Sequence, residues 1–209
     1  MAEISAQLVK QLRERTGAGM MQCKAALVEA GGDLDKAEVV LRKQGIASAG
    51  KKSGRTTGQG VIGTYIHPGS QLGVLVEVNC ESDFVARTDD FQQMVRDIAM
   101  QVAAADPQFI RKEDVTPDAL EKEREIQRAR AITEGKPEKM ADKIVEGRMN
   151  KYYEEVCLYE QPFIKDNSLT VGQLIATKIA KVGENMSVAR FVRFKVGETA
   201  AATSEKTEE

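Results

Sequence analysis

The 209-residue sequence is poor in the residue types on which several classes of protein depend. It has no tryptophan, three cysteines and a single histidine, and only 5% of its residues are aromatic. Three widely separated cysteines do not fit a disulfide framework, and one histidine cannot build a histidine-rich metal site. No apolar run is long enough for a transmembrane helix, and residues 1–5 lack the basic start and apolar stretch of a secretory signal. We therefore expect a cytoplasmic protein with no metal site and no membrane association.

An excess of charge of one sign is also missing. Thirty basic side chains face 32 acidic ones, which gives a net charge of −2. A general nucleic-acid-binding protein is expected to carry a basic excess that meets the phosphates, so direct nucleic-acid binding is not expected. The chain is 42% hydrophobic, which excludes intrinsic disorder for most of its length. One large globular domain or two small ones fit these values.

Residues 1–45 predict a domain of three short helices. Ser5 is a candidate N-cap for the first helix, and Gly17 and Gly19 break it. A third helix is expected to end at Gly45. For the second helix, at about residues 20–30, the expected apolar positions are Met21, Ala25, Leu27 and Val28. So small a bundle has no room for a substrate cavity and is typical of a docking unit.

The rest of the chain predicts a linker, a larger domain and a tail. Residues 46–58 are small, polar and basic, which is typical of a flexible linker. Residues 59–197 predict an α+β core of helices packed on a small antiparallel sheet. Residues 198–209 are rich in Ala, Thr and Glu and are expected to be a disordered acidic tail.

Within the core, alternating apolar residues predict a β-hairpin over 61–67 and 72–80, with one face of the second strand buried. Thr88 is expected to cap an amphipathic helix, and residues 188–196 alternate again as a last strand. The helix over 117–134 is so highly charged that we expect it to be solvated, and its use is not evident from the sequence.

Three local features invite a functional interpretation beside a structural one. Residues 15–21 form a helix–turn–helix corner, but two adjacent methionines on a helix cannot both be well buried, so one is available to grip a partner. At residues 82–85, Phe84 is either a core plug or an aromatic side chain held out at a strand end, with Asp83 beside it. The aromatic side chains in 149–153 and 161–163 belong either to the core or to an interface.

These segments together resemble the elongation factor Ts family, the guanine-nucleotide exchange factors for elongation factor Tu in bacteria and organelles. The blocks that carry the resemblance are residues 12–27, 76–86, 145–149, 161–163 and 170–174. Ser82 stands where many members of the family carry threonine, and the likeness extends through residue 197. It implies an N-terminal domain of the ubiquitin-associated type, a linker and an α+β core.

The resemblance also implies roles for residues. The N-terminal signature is expected to bind the nucleotide-binding domain of elongation factor Tu through Arg15, Thr16, Gly17, Ala18, Gly19, Met20 and Met21. The segment expected to dislodge the magnesium of that GTPase comprises Ser82, Asp83, Phe84 and Val85, with Phe84 as a wedge. The protein itself then needs no catalytic residue, nucleotide site, cofactor or metal, and it promotes exchange of GDP for GTP by stabilising the empty GTPase.

The chain departs from the family's longer members in one respect. Those members carry a duplicated core with an inserted helical hairpin, whereas this chain has room for one copy. Short members resemble homodimers that rebuild the missing half, so the likeness implies a homodimer and a 2:2 assembly with elongation factor Tu.

Two other functions compete with exchange. The first is a binding module without exchange activity, such as a ribosome-associated or chaperone-like adaptor that uses the three-helix domain. The second is a small hydrolase or transferase with Cys23 or Cys80 as its nucleophile, which needs a base beside the thiol. His67 is the only histidine that could serve as such a base. Whether Cys157 forms an intermolecular disulfide is open.

Overall fold

Helices and strands follow one another in runs rather than in regular β-α-β alternation, as expected of an α+β protein. The computed structural model describes residues 4–135 and 138–198. Its α-helices are α1 (Ala6–Thr16), α2 (Met20–Glu29), α3 (Leu34–Lys52), α4 (Asp83–Ala86), α5 (Asp89–Ala105), α6 (Pro117–Thr133), α7 (Glu138–Val156) and α8 (Val171–Val182). Its strands are β1 (Gln59–Ile66), β2 (Leu72–Cys80), β3 (Pro162–Phe163), β4 (Asp166–Thr170) and β5 (Met186–Lys195). A short 3₁₀ helix spans Lys112–Asp114.

Contacts divide the chain into two compact units that do not follow the linear order. The first comprises the chain up to Val61 together with Val78–Met94 and Gln173–Ser187. The second comprises Ile62–Glu77, Val95–Gly172 and the chain from Val188 onward. The linear boundaries at residues 45, 58 and 197 remain predictions. Most of the predicted acidic tail, from residue 199 onward, lies outside the described residues.

The three N-terminal helices enclose a small core of their own. Its buried members come from all three helices: Val9, Leu12, Cys23, Ala26, Leu27 and Ala37. Ser5 caps α1 as predicted, because its side-chain oxygen accepts a hydrogen bond from the backbone N–H of Leu8 at 3.2 Å. The predicted three-helix arrangement is therefore confirmed, and its likeness to the ubiquitin-associated type remains a prediction.

Of the apolar positions predicted for α2, only Leu27 is buried. Cys23, Ala26 and Leu27 are buried, whereas Met21 and Val28 are exposed. At about 100° per residue, positions 21, 25 and 28 lie on the side of the helix opposite to 23, 26 and 27. The side of α2 that carries Cys23, Ala26 and Leu27 is the one that packs against α1 and α3.

Helix α3 also runs further than expected, since it passes Gly45 and continues to Lys52. The first seven residues of the predicted linker are thus helical. Gly45 lies buried inside the helix and does not end it. It faces Ala180, since a Cβ added at Gly45 would lie 3.4 Å from the Cβ of Ala180, an ordinary van der Waals contact.

The hairpin and the last strand build one three-stranded sheet in the order β1-β2-β5. The turn at 67–70 places Gly69 and Ser70 at positive φ and is closed by a Ser70 N–H to His67 carbonyl bond of 2.9 Å. Strand β5 runs antiparallel to β2, since Arg190 meets Glu77 while Val196 bonds to Gln71. The α+β class with a small antiparallel sheet is confirmed.

Alternation in β2 follows the prediction, and the buried side chains are Val74, Val76, Val78 and Cys80. Helix α5 begins after Thr88, whose hydroxyl accepts from the N–H of Phe91 at 3.3 Å. The buried stripe of α5 is the expected one: Phe91, Met94, Val95, Ile98 and Val102. In the second unit α5 lies directly on the sheet, since a Cβ added at Gly63 would collide with Val95.

The sequence did not predict the two-stranded ribbon of β3 and β4, which pairs Pro162 with Thr170 and Phe163 with Asp166. No alternation marks it, because it is held by a buried amide network rather than by an apolar face. The Gln101 side chain accepts from the N–H of Ile164 at 2.9 Å and donates to Gln161 at 3.2 Å. Such networks join residues that are distant in sequence and leave no local pattern.

Candidate partner-binding site

The corner between α1 and α2 has a backbone fixed by local hydrogen bonds. Gly17 ends α1 in the left-handed region with φ 67°, and its N–H donates to the carbonyl of Arg13 at 2.7 Å. The Thr16 hydroxyl donates to the carbonyl of Leu12 at 2.7 Å and accepts from the N–H of Ala18 at 3.3 Å. The positive φ favours glycine, so this part of the predicted segment is a preformed turn.

The two methionines after this corner both point to solvent. Met20 is 49% exposed and Met21 is 77% exposed. Gly19 is the N-cap of α2, and Arg15 forms an ion pair with Asp35 at 3.1 Å. Neither methionine is therefore needed for the core. Exposed thioether side chains on a fixed turn form an adaptable apolar surface.

The second predicted segment forms the single-turn helix α4. Ser82 caps it, with its side-chain oxygen accepting from the N–H of Val85 at 3.4 Å. Val85 and Ala86 are buried, while Phe84 is 80% exposed. Phe84 is thus not a core plug. The buried side chains of Val85 and Ala86 anchor α4, while the aromatic side chain of Phe84 is exposed to solvent.

Asp83 lies beside Phe84 and is partly exposed. Its carboxylate accepts a hydrogen bond from the Arg87 guanidinium at 2.8 Å, one helical turn later. An exposed pair of this kind is weak, on the order of 0–1 kcal/mol. The carboxylate can therefore exchange its partner at low cost when another cation approaches.

The end of α8 contacts both predicted segments. Lys181 lies against Gly17, where an added Cβ would sit 3.0 Å from the lysine Cε. Three residues later, Glu184 accepts hydrogen bonds from both the hydroxyl and the N–H of Ser82. Sequence reasoning missed both residues, because no local spacing connects positions 17 and 82 with 181 and 184.

Lys181 is itself held by Asp90, in the first turn of α5, and Lys178 lies 3.5 Å from the same carboxylate. The hydrogen bond from Lys181, with the charge of Lys178, lowers the pKa of Asp90 from its ordinary value. The aspartate therefore stays ionised and keeps the lysine next to Gly17.

The three cysteines are free and buried. Burial, with the nearby charge of Glu184, raises the pKa of the Cys80 thiol, and burial raises that of Cys157 to about 11. Reactive cysteines are accessible and have lowered pKa values. His67 lies in the hairpin turn, where its Nδ1 is 3.0 Å from the Tyr65 hydroxyl. These properties argue against a thiol nucleophile, and the burial of Cys157 against an intermolecular disulfide.

The third feature lies partly in the core and partly at its edge. Met149 and Phe163 are buried, and Tyr152 and Tyr153 pack partly against the cluster of Val115, Val156 and Cys157. The sequence left a core or an interface role open for these side chains. Burial assigns Phe163 and Met149 to the core, whereas Tyr152 and Tyr153 are half-buried and keep part of their surface exposed.

Within residues 4–135 and 138–198, no group of three or more histidine, cysteine or acidic side chains is arranged to hold a metal ion. In the same part of the chain, no helix is both long enough and apolar enough to cross a bilayer. What the two predicted segments share is exposed apolar surface on a fixed backbone.

Known proteins resemble the chain along almost its whole length. A model of the family described as elongation factor TS matches residues 48–199. An elongation factor Ts of Solibacter usitatus is 74% identical over 98% of this chain and 96% of the relative. That of Koribacter versatilis is 63% identical over 93% of this chain and 89% of the relative. That of Desulforamulus reducens is 60% identical over 95% of this chain and 91% of the relative. The chain belongs to the elongation factor Ts family.

Proposed function

We propose that this translation elongation factor binds elongation factor Tu with GDP bound and promotes exchange of GDP for GTP. It acts by protein–protein contact, in the cytoplasm, without a cofactor or metal of its own and without direct contact to nucleic acid or membrane. The observation that carries the proposal is the exposure of Phe84 on an otherwise anchored helical turn. An aromatic side chain of this size, kept in water by a rigid support, is suited to fill a pocket of a partner.

In the proposed mechanism Phe84 enters between helices of the GTPase and Asp83 acts on the charges around its magnesium. Burying a phenylalanine side chain is worth roughly 1.5–3 kcal/mol. If this burial is available only in the empty form of the GTPase, the same free energy weakens nucleotide binding, since coupling between two ligands is reciprocal. At about 1.4 kcal/mol per factor of ten, this contact alone weakens GDP binding by roughly 10- to 100-fold.

The corner at 15–21 has a different part in this proposal. Met20 and Met21 supply an apolar surface for the nucleotide-binding domain of elongation factor Tu, and Gly17 and Gly19 shape the turn that presents it. Flexible methionines adapt to a partner whose conformation changes during the reaction. They are expected to set affinity for the partner more than the rate of release.

Release of a fluorescent GDP analogue from elongation factor Tu tests the exchange activity. The intact protein is expected to accelerate release strongly, and Phe84→Ala to remove most of the acceleration without changing the melting temperature. Ile132→Ala, which truncates an exposed side chain on α6, is the control and should behave as the intact protein. If the intact protein has no effect, exchange is wrong. If the acceleration is unchanged in Phe84→Ala, Phe84 is not the wedge, and a binding module that does not act through Phe84 is favoured.

A second experiment separates the two segments. Met21→Ala is expected to raise the concentration of the factor that gives half-maximal release, with little change in the maximal rate. Phe84→Ala is expected to show the opposite pattern. Equal effects of both variants on both parameters would contradict the assignment of separate roles.

We also propose that the protein forms a homodimer that binds two copies of elongation factor Tu. In the second unit, the outer face of the sheet carries exposed large apolar side chains: Ile62, Ile66, Leu75, Val192 and Phe194. Arg190 and Glu77, paired at 2.7 Å, flank this face. A two-fold contact brings the same patch to both sides, which suits apolar side chains surrounded by charges of both signs.

Sedimentation equilibrium of the intact protein and of Phe194→Asp tests the dimer. The intact protein is expected at twice the chain mass and the variant at the chain mass. Ile132→Asp, which also replaces an exposed apolar side chain by aspartate but on α6, should leave the dimer intact. A monomeric intact protein at micromolar concentration would show that a second copy does not cover this face.

A further inference from the structure

Both hydrogen-bond donors of Ser82 go to one carboxylate. Its hydroxyl donates to Glu184 Oε1 at 2.7 Å, and its backbone N–H donates to Glu184 Oε2 at 3.0 Å. The same hydroxyl oxygen accepts from the N–H of Val85 at 3.4 Å, which caps α4. Because the hydroxyl hydrogen is committed to Glu184, the oxygen lone pairs are directed to the helix. Glu184 thereby orients the cap as well as the strand end before it.

A second set of bonds runs in the reverse direction. The N–H of Asn185 donates to Glu81 Oε1 at 2.6 Å, and the guanidinium of Arg55 lies 3.4 Å from the same oxygen. The buried side-chain amide of Asn185 donates to the carbonyl of Arg55 at 2.9 Å. Residues 81–82 and 184–185 are thus joined both ways, and we call these bonds the loop contact.

The helix that the loop contact supports is too short to be stable alone. Isolated helices need on the order of 12–15 residues to be even marginally stable in water, and α4 has four. Its orientation therefore comes from its anchors. At its C-terminal end, Val85 and Ala86 are buried, and their carbonyls accept hydrogen bonds from the Thr88 hydroxyl at 2.8 Å and the Gln92 amide at 2.7 Å. At its N-terminal end, the anchor is Ser82. Phe84, being exposed, contributes little to its own placement.

We infer that Glu184 is a positioning residue for nucleotide exchange: through Ser82 it holds α4 so that Phe84 is presented in one orientation. This inference rests on the proposed function, in which Phe84 is the wedge. Glu184 lies in the turn after α8 and acts through residues 102 positions earlier in the chain. Without it, α4 samples several orientations, and the correct one is populated only part of the time. In the proposed function Phe84 contacts only the empty GTPase, so its orientation does not affect the first binding step. The expected consequence is a lower maximal rate of release at unchanged affinity for GDP-bound elongation factor Tu.

The test compares Glu184→Ala, Glu184→Gln, Phe84→Ala and the double variant Phe84→Ala/Glu184→Ala in the GDP-release assay over a range of factor concentrations. Glu184→Ala is expected to lower the maximal rate roughly tenfold, the size commonly carried by one hydrogen bond to a charged group. Glu184→Gln keeps one acceptor oxygen and should recover part of the rate. Glu160→Ala removes another half-buried glutamate, paired with Lys112 at 2.9 Å, and serves as the matched control.

The double variant is decisive, because a residue that acts only through Phe84 cannot matter once Phe84 is gone. It is expected to equal Phe84→Ala within about twofold. Three results would overturn the inference. In the first, the effects of the two single variants on the rate multiply in the double variant. In the second, Glu184→Ala raises the half-maximal concentration, and in the third, its rate equals that of Glu160→Ala.

A spectroscopic measurement separates failure of this inference from failure of the proposed function. In protein labelled with 4-fluorophenylalanine, the ¹⁹F resonance missing from Phe84→Ala reports on Phe84. We expect Glu184→Ala to move it toward the value of an unstructured peptide and Glu160→Ala to leave it in place. If the resonance does not move, Glu184 does not position Phe84, whatever the exchange assay gives. If it moves while the intact protein has no exchange activity, the positioning stands and the proposed function fails.

Discussion

Leu12→Ala is expected to unfold the three N-terminal helices while the helix α5 stays folded. Leu12 is completely buried in a cluster where Cys23, Ala26 and Ala37 contribute only small side chains. Truncating a buried leucine costs about 2.7–5 kcal/mol when the surroundings cannot collapse into the cavity. A core of this size rarely supplies more than about 3–5 kcal/mol in total. The variant therefore loses most of what holds the three helices together.

Hydrogen–deuterium exchange of the full chain measures this locally. Amides of α1–α3 should lose protection by roughly 100- to 1,000-fold in Leu12→Ala, since each 1.4 kcal/mol is a factor of ten. Amides of α5 should keep theirs. Val28→Ala is the control, because Val28 lies in the same bundle but is exposed, and its truncation should change protection by less than about 0.5 kcal/mol.

Two results would refute this reasoning. If α1–α3 keep their protection in Leu12→Ala, the cluster is not what stabilises them, and their contacts through Gly17 and Gly45 carry the stability instead. If protection falls equally in α1–α3 and α5, the whole chain unfolds as one cooperative unit.

Three further predictions concern other positions. Gly60→Ala should lower the melting temperature by several degrees or prevent folding, because φ is 148° and a Cβ would lie 2.3 Å from the carbonyl oxygen of Val78; an unchanged melting curve would contradict this. Cys157 should react with a thiol reagent at neutral pH only after unfolding, since it is buried and its pKa is raised to about 11; fast modification of the native protein would contradict it. The hydrogen bond from the Asn185 N–H lowers the pKa of Glu81 in the folded protein. This hydrogen bond therefore stabilises the fold fully at pH values above the ordinary pKa of 4.5, and the stabilisation is lost as the pH falls through the lower folded-state pKa. Glu81→Gln should therefore flatten the fall of the melting temperature in acid, and an unchanged acid limb would show that the bond does not stabilise the fold.

Local signals predicted the elements whose causes are local. Ser5 and Thr88 cap the helices expected of them, because a cap acts within three residues of its position. The alternation of β2 identified its buried face because a strand changes face at every residue. Gly45 could not be interpreted in the same way, since a glycine ends a helix or permits close packing depending on what lies against it.

The residues of the candidate site also differ in how far the sequence predicts them. The two segments were identified from the sequence through the family resemblance, but the exposure of Phe84 could not be obtained from its neighbours. Glu184 was missed altogether, because Ser82 and Glu184 are 102 positions apart and meet only after the strands and helices between them have packed. Residues that position a site are in general less visible in a sequence than those that compose it, as their spacing is set by the fold.

Only a contact that differs between the loaded and the empty GTPase can change the affinity for its nucleotide. In the proposed function, this condition gives a physical reason for the different construction of the two segments. In that proposal the flexible side chains of Met20 and Met21 follow a moving partner and so contribute similar free energy to both of its states. Phe84 is rigidly carried, with Val85 buried below it and Ser82 bound to Glu184, so a displaced pocket cannot keep the same contact with it. In that proposal discrimination requires a contact that cannot adapt. The attachment of Ser82 to Glu184 by two hydrogen bonds provides it for Phe84, whereas the fixed turn at 15–21 presents side chains that can adapt.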